Sequence, residues 1–399
     1  MVNLDSNQIS RISSFVTKRD SGFLSKFLLD NQSVIKEKIN NKSLLIFGAS
    51  GFIGRETVLK SLEYNLKELI IVDVNENSLT ELIREINDLK FVFKLPKITP
   101  IVLDVKENFG NVLFRELNNV DLIWNFAANK HVRTQRNLIS ALHMLKVNLT
   151  GIANIIEFGS KFKNLESIFS ISTDKASNPE SIMGASKRIM EHILFSSDFQ
   201  SKTSTRFANV LFSAGSLPLS WLTSISTNRP ISYPVGVSRF FITPEESAQL
   251  CISAAVLGQS NKILVPKANE IGGLVDIGDL LNEFLNFFSK KPVYVDFESD
   301  VVRAQKSLKT NEVVVYRSKL DTLGDKTFEQ FSDTSEVKVS LNEYLDSVEF
   351  RPLDQLRVDE LTSYLKSDDI SFDRLKMSIG NIFPSFNSSA PTENLDYRI

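Results

Sequence analysis

A chain of 399 residues carrying 46 Lys and Arg against 48 Asp and Glu, with a formal charge of −2, has no overall basic field to hold nucleic acid or an anionic membrane. Its one cysteine, Cys251, excludes an internal disulfide, and its three histidines, His131, His143 and His192, show no metal-ligand spacing, so a reducing, metal-free, cytoplasmic setting fits best. The N-terminus lacks the apolar core of a signal peptide and no run approaches the roughly 20 apolar residues of a membrane span, so a soluble protein is expected.

Residues 1–40 place Phe15, Phe23, Phe27, Leu28, Val34, Ile35 and Ile39 at helical spacing, which predicts a small helical N-terminal extension. From Lys42 onward, short apolar runs alternate with helical stretches: SLLIFG, ELIIVD, ITPIVLD, VDLIWNFA, SIFSIS, TRFANVLF and KILVPK. Strands and helices in this alternation imply right-handed crossovers, and hence an α/β fold with a Rossmann-type, doubly wound parallel sheet over residues 41–265. Beyond about residue 265 the order weakens. Residues 266–399 are expected to supply a smaller C-terminal substrate domain and a loosely ordered tail, IFPSFNSSAPTENLDYRI.

LLIFGASGFIGRETVLKSL sets Gly48, Gly51 and Gly54 directly after the first apolar run and at the start of a helix. Glycine permits a tight turn and lets the backbone approach a pyrophosphate, whose charge then rests on the helix N-terminus. Ser50, Phe52 and Ile53 belong to the same expected cofactor contact. Asp73 closes the next strand 19 residues after Gly54, where a carboxylate can accept hydrogen bonds from an adenosine ribose. It would repel a 2′-phosphate, and no Arg follows it in DVNENS, so NAD is favoured over NADP. A plain structural turn with a strand-end Asp is the weaker reading. Asp104 could meet the adenine edge. NFAANKHV, residues 125–132, places Ala127, Ala128 and Lys130 where a dinucleotide would pass, although the two alanines serve equally well as packing.

SISTDKASNPESIMGASKR follows the fifth strand. Ser172, Thr173, Asp174 and Lys175 crowd four polar side chains into one turn. They could form an N-cap cluster, or an adjacent acid and amine able to act as proton donor and acceptor in a desolvated cleft. Lys187 lies one helical turn after Met183 and could hold a nicotinamide ribose. The general short-chain dehydrogenase scheme has Tyr where this chain has Met183, and a thioether cannot shuttle a proton.

With GASGFIG, VDVNENSLTEL, NFAANKHV, STDKASNPESIMGASK, RFANVLFSAGSLP, SRFFITPEESAQLC and LGDKTFEQF, the chain from about residue 40 to about 335 resembles the nucleotide-sugar 4,6-dehydratases of the extended short-chain dehydrogenase/reductase superfamily. The similarity is to the polysaccharide-biosynthesis branch typified by UDP-N-acetylglucosamine 4,6-dehydratases, whose Met-x-x-x-Lys members look like this one. Asn129 stands where the branch often has His, and Ser213-Ala214-Gly215-Ser216 varies its usual small-residue turn. The resemblance implies that hydride leaves sugar C4 for NAD as the 4-hydroxyl loses its proton. Lys175 then takes the C5 proton, Asp174 protonates the departing 6-hydroxyl, and hydride returns to C6. Thr173 would hydrogen-bond the 4-oxygen, with Asp174 or a water relay to Lys187 replacing the absent tyrosine. Lys130, Asn178, Asn209, Ser216, Arg239, Lys326 and Glu329 match positions lining the nucleotide sugar. A homo-oligomer is expected, serving bacterial surface-glycan or amino-sugar synthesis. Two rivals share the scaffold: a 4-epimerase or 4-ketoreductase, which returns hydride to C4 and needs no acid and base at C5 and C6, and a non-catalytic NAD-binding sensor.

Overall fold

The computed structural model describes residues 6–19, 22–92, 94–117, 119–130, 137–319 and 330–386. Strands β1 (Ser43–Phe47), β2 (Glu68–Asp73), β3 (Lys97–Val102), β4 (Leu122–Asn125), β5 (Ser167–Ile171) and β6 (Lys202–Thr205) lie parallel in the order β3-β2-β1-β4-β5-β6. Lys262–Pro266 continues the sheet in parallel, and Leu345–Glu349 and Lys338–Ser340 finish it antiparallel. Strands β1, β4 and β5 are buried at every position, as continuous apolar or small-residue runs must be when helices cover both faces, and β6 is buried too although its sequence, KTST, is polar. The strand order reverses between β1 and β4, so the crevice at their carboxyl ends is where an open α/β sheet receives ligands.

One expected strand is divided. TRFANVLF leaves the main sheet at Arg206, and Asn209–Val210 pairs instead with Phe241–Ile242. The Arg206 amide still bonds the Leu264 carbonyl of the neighbouring strand at 3.1 Å, while its side chain is wholly buried against two carboxylates.

Residues beyond β6 build a second hydrophobic cluster around Trp221 and Phe284, beneath a small parallel sheet of Ile231–Pro234, Glu312–Ser318 and Lys291–Val295. The described part of the first 40 residues forms three helices: Ser6–Thr17, Ser25–Asp30 and Gln32–Ile39. Leu24, Leu28, Ile35 and Ile39 enter the main core, whereas Ile12 and Val16 enter the second cluster. Arg19 fastens the passage between them with a fork onto buried Glu246 at 2.8 and 2.7 Å and bonds to the carbonyls of Ile271 and Phe241.

A third cluster lies behind the helix Ile182–Phe195, where the C-terminal helices Gln355–Tyr364 and Phe372–Ile382 pack on it and on Leu138–Leu145. Leu138–Gly159 is continuous, with a π-helical turn at Lys146–Thr150, and is long and apolar enough to cross a membrane. Its inward residues Ala141, Met144, Leu145, Ile152, Ile155 and Phe158 are all built into the protein core. The early part of the expected loose tail is packed as well: Phe383 joins this cluster and Ser385 Oγ donates to the Pro179 carbonyl at 3.2 Å.

Candidate active site

The glycine turn is shaped by close approach. Gly48 has φ of +71°, and a Cβ there would sit 2.4 Å from the Ala127 amide nitrogen, so the loops after β1 and β4 touch only because this residue has no side chain. A Cβ on Gly54 would fall 2.1 Å from the Gly48 carbonyl oxygen, which ties the first helical turn to the strand end. The helix Phe52–Ser61 begins at Gly51 with no side chain capping it, leaving its N-terminal amides available to an anion. Asp73 is buried at the end of β2 and accepts from the Ser50 amide and the Asn75 amide, each at 3.0 Å. That carboxylate therefore holds the glycine turn and the β2 exit together. Ala127 and Ala128 are half-buried and Lys130 is exposed. Asp104 lies two residues past β3, pairs with Lys106 at 3.1 Å, and accepts the Lys106 amide.

The reaction turn follows β5. Asp174–Ala176 form a single 3-10 turn in which Thr173 Oγ1 donates to Asp174 Oδ1 at 2.7 Å, the Lys175 amide donates to the same oxygen at 2.9 Å, and Lys175 Nζ lies 3.4 Å from it. Asp174 is buried while Lys175 is partly open, and the contacts within the turn set the carboxylate beside the amine. Ser181 caps the helix Ile182–Phe195. Gly184 lets that helix close on the turn, since a Cβ there would lie 2.6 Å from the Lys175 carbonyl oxygen.

Met183 and Lys187 stand one turn apart on this helix, both buried. Met183 packs in the third cluster as an apolar filler. Lys187 Nζ donates to the Ile171 carbonyl at the end of β5, at 2.8 Å, and burial lowers its ammonium from 10.5 to about 8 against the opposing pull of Glu191.

The other expected residues are more scattered in role. Asn209 begins its short strand and bonds the Phe240 carbonyl; Ser216 caps the helix Leu217–Ser226; Arg239 is buried beside Val275 with a bond to the Ser238 carbonyl; Asn178 is half-buried after the reaction turn. Lys326 and Glu329 lie outside the described residues, as does His131.

Two residues escaped the sequence reading. Asn148, on the π-helical turn, is buried, takes the Asn129 amide at 2.9 Å, returns a bond to the Asn129 carbonyl, and donates to Ser186 at 2.8 Å. It thus joins the loop after β4 to the helix carrying Lys187, and a lone amide within an apolar helical run was the available signal. Glu191 accepts Ser172 Oγ at 2.6 Å and both arms of Arg206 at 2.7 Å, a partnership across distant segments that spacing does not reveal.

The model of a family described as polysaccharide biosynthesis protein matches residues 44–331. The capsular polysaccharide biosynthesis protein CapD of Staphylococcus aureus is 28% identical over 314 residues, covering 73% of this chain and 50% of CapD, so the chain spans about half the length of that relative. Pen from Bacillus thuringiensis superposes with a TM-score of 0.63 at 20% identity over 82% of this chain and 98% of its own. DesIV, a dTDP-glucose 4,6-dehydratase from Streptomyces venezuelae solved with NAD and TYD bound, gives 0.52 at 16% identity over 86% of this chain and 96% of its own.

Proposed function

We propose that this chain, which belongs to the polysaccharide biosynthesis protein family, is an NAD-dependent nucleotide-sugar 4,6-dehydratase of the Met-x-x-x-Lys kind, acting on UDP-N-acetylglucosamine or a close relative. The observation that carries the reading is the acid beside an amine, Asp174 and Lys175, on a turn at the carboxyl end of β5. A 4-epimerase returns hydride to C4 and has no use for an acid and a base at C5 and C6.

The glycine turn fits NAD in its shape: Gly48 and Gly54 leave no room for a Cβ, the helix behind them is uncapped, and Asp73, which meets the adenosine ribose in this reading, is steadied at the end of β2 by two backbone amides. When bound, NAD supplies the hydride acceptor and later the donor. Lys187 holds the nicotinamide ribose from its helix, with its ammonium beside the Ile171 carbonyl that ends β5. Thr173 hydrogen-bonds the sugar 4-oxygen, with its own proton already directed at Asp174. Asp174 takes the 4-hydroxyl proton by way of Thr173 and passes it to the departing 6-hydroxyl, which leaves as water, while Lys175 removes the C5 proton and returns one to C5 when C6 is reduced, general acid and base each contributing on the order of 10² to 10⁴ in rate. Met183 fills space behind the sugar and moves no proton. Lys130, Asn178, Asn209, Ser216 and Arg239, with Lys326 and Glu329, bind the nucleotide sugar in this reading, and a buried Arg suits a diphosphate.

The test is incubation of purified protein with NAD and UDP-N-acetylglucosamine in deuterated water, followed by NMR. A 4-keto-6-deoxy product with deuterium at C5 is expected. A C4 epimer without deuterium at C5 would replace the proposal with the epimerase reading.

A further inference from the structure

Arg206 carries no role in the chemistry above, yet its guanidinium is wholly buried and fully engaged. Nε and Nη2 meet the two oxygens of Glu191 at 2.7 Å each; Nη1 and Nη2 meet those of Glu336 at 2.7 and 2.8 Å; Nη1 also donates to the Phe331 carbonyl at 3.2 Å. Burial alone would raise the Glu191 carboxyl, and the adjoining Arg206 overcomes that and holds it below its ordinary value. Arg188 adds a longer contact to Glu191 at 3.7 Å.

Buried ion networks are weak devices for stability, because desolvation offsets most of their attraction and apolar packing serves as well. What this one does hold is position. Glu191 takes the hydroxyl of Ser172, the residue before Thr173, at 2.6 Å. The Ser177 hydroxyl, at the far end of the turn, lies 2.9 Å from the Gln330 carbonyl oxygen and 2.8 Å from the Asp174 carbonyl oxygen and shares its one proton between them. Phe331 stacks on Phe240, next to Arg239, with ring centroids 5.0 Å apart. The same distant segment, 330–336, therefore grips both ends of the turn 172–177, once directly and once through Arg206 and Glu191.

We infer that Arg206 is a positioning residue: its double fork onto Glu191 and Glu336 locks segment 330–336 to the Thr173-Asp174-Lys175 turn and fixes the orientation of that turn. The inference rests on reading the turn as the reaction site for its kinetic consequence, but not for the coupling itself.

The test compares wild type with Arg206→Lys, which keeps the charge and loses the fork, and with Ser172→Ala, which leaves the ion network intact. Hydrogen exchange of the cofactor-free protein should speed up about tenfold or more in both 172–177 and 330–336 in Arg206→Lys, with β1 to β4 changed less than about twofold. In Ser172→Ala the turn alone should loosen. On the nucleotide sugar, each variant should lose about tenfold or more in kcat with KM and NAD affinity within about twofold, and the double variant should be little worse than Arg206→Lys, since both act through Glu191. Exchange in the two segments that stays at the wild-type rate, or kcat per folded molecule that holds while only the melting temperature falls, overturns the inference. If Arg206→Lys does not fold, Ser172→Ala decides by the same two readouts. If wild-type protein turns over no nucleotide sugar, the reaction reading fails and the exchange data still decide the coupling.

Discussion

Lys187→Met separates the electrostatic cost of the buried ammonium from its use. Lys187 is almost fully enclosed, and burial lowers it from 10.5 to about 8. The folded protein therefore binds this proton more weakly than the unfolded chain does. Its stability is lowest below pH 8 and is regained as pH rises from about 8 to 10.5, where the unfolded chain also releases the proton. At roughly 1.4 kcal/mol per pH unit, that gap amounts to about 3 kcal/mol of instability at pH 7. Methionine removes the charge at similar length beside Met190, and forfeits the bond to the Ile171 carbonyl, which costs about 1 kcal/mol. The variant should thus be about 2 kcal/mol more stable than wild type at pH 7, and about 1 kcal/mol less stable above pH 10.5, while losing turnover. Urea midpoints of the two cofactor-free proteins from pH 7 to 10.5 measure the difference directly, since other titrating groups cancel. A difference that stays constant over that range would refute the argument, because it would place the lysine at its ordinary value or its ammonium in solvent.

Gly184→Ala should cost about 1 to 3 kcal/mol and depress turnover, because its methyl would meet the Lys175 carbonyl and the helix must draw back from the reaction turn; unchanged melting and kcat would show that the contact is soft. Asp73→Ala should weaken NAD by about tenfold or more in titration while leaving kcat at saturating cofactor nearly unchanged, because its contacts are the same in ground and transition states; a fall in kcat with unaltered NAD affinity would contradict that. Met183→Tyr puts a phenol into an apolar cluster and should leave activity lower or unchanged, since overpacking costs about 1 to 3 kcal/mol. A large gain in kcat with a new pH dependence would mean that the native site lacks a base at the 4-hydroxyl.

Much of this protein could be read from local pattern. The apolar runs and their spacing point to a parallel sheet because its inner strands must be buried on both faces; the sixth strand lies earlier than its run, at Lys202–Thr205, and takes only Thr205 from TRFANVLF. Gly48, Gly51, Gly54 and Asp73 sit where strand, turn and helix follow one another within one βαβ unit, so their placement follows from neighbouring residues, although the approach of Ala127 to Gly48 comes from the loop after β4. Thr173, Asp174 and Lys175 are adjacent in the chain, and so their contact needed no folding to foresee. Tertiary structure alone decided the rest. Met183 packs in an apolar cluster because helices some 170 residues downstream close over it, and the main sheet is completed by Leu345–Glu349 and Lys338–Ser340, far in sequence from the strands they extend. The meeting of Arg206 with Glu191 and Glu336 depends on three segments that share no periodic signal. A charge in an apolar run reads as a flaw in a strand until folding supplies its partner; here two buried carboxylates, brought in from another helix and from the chain beyond residue 330, neutralise it.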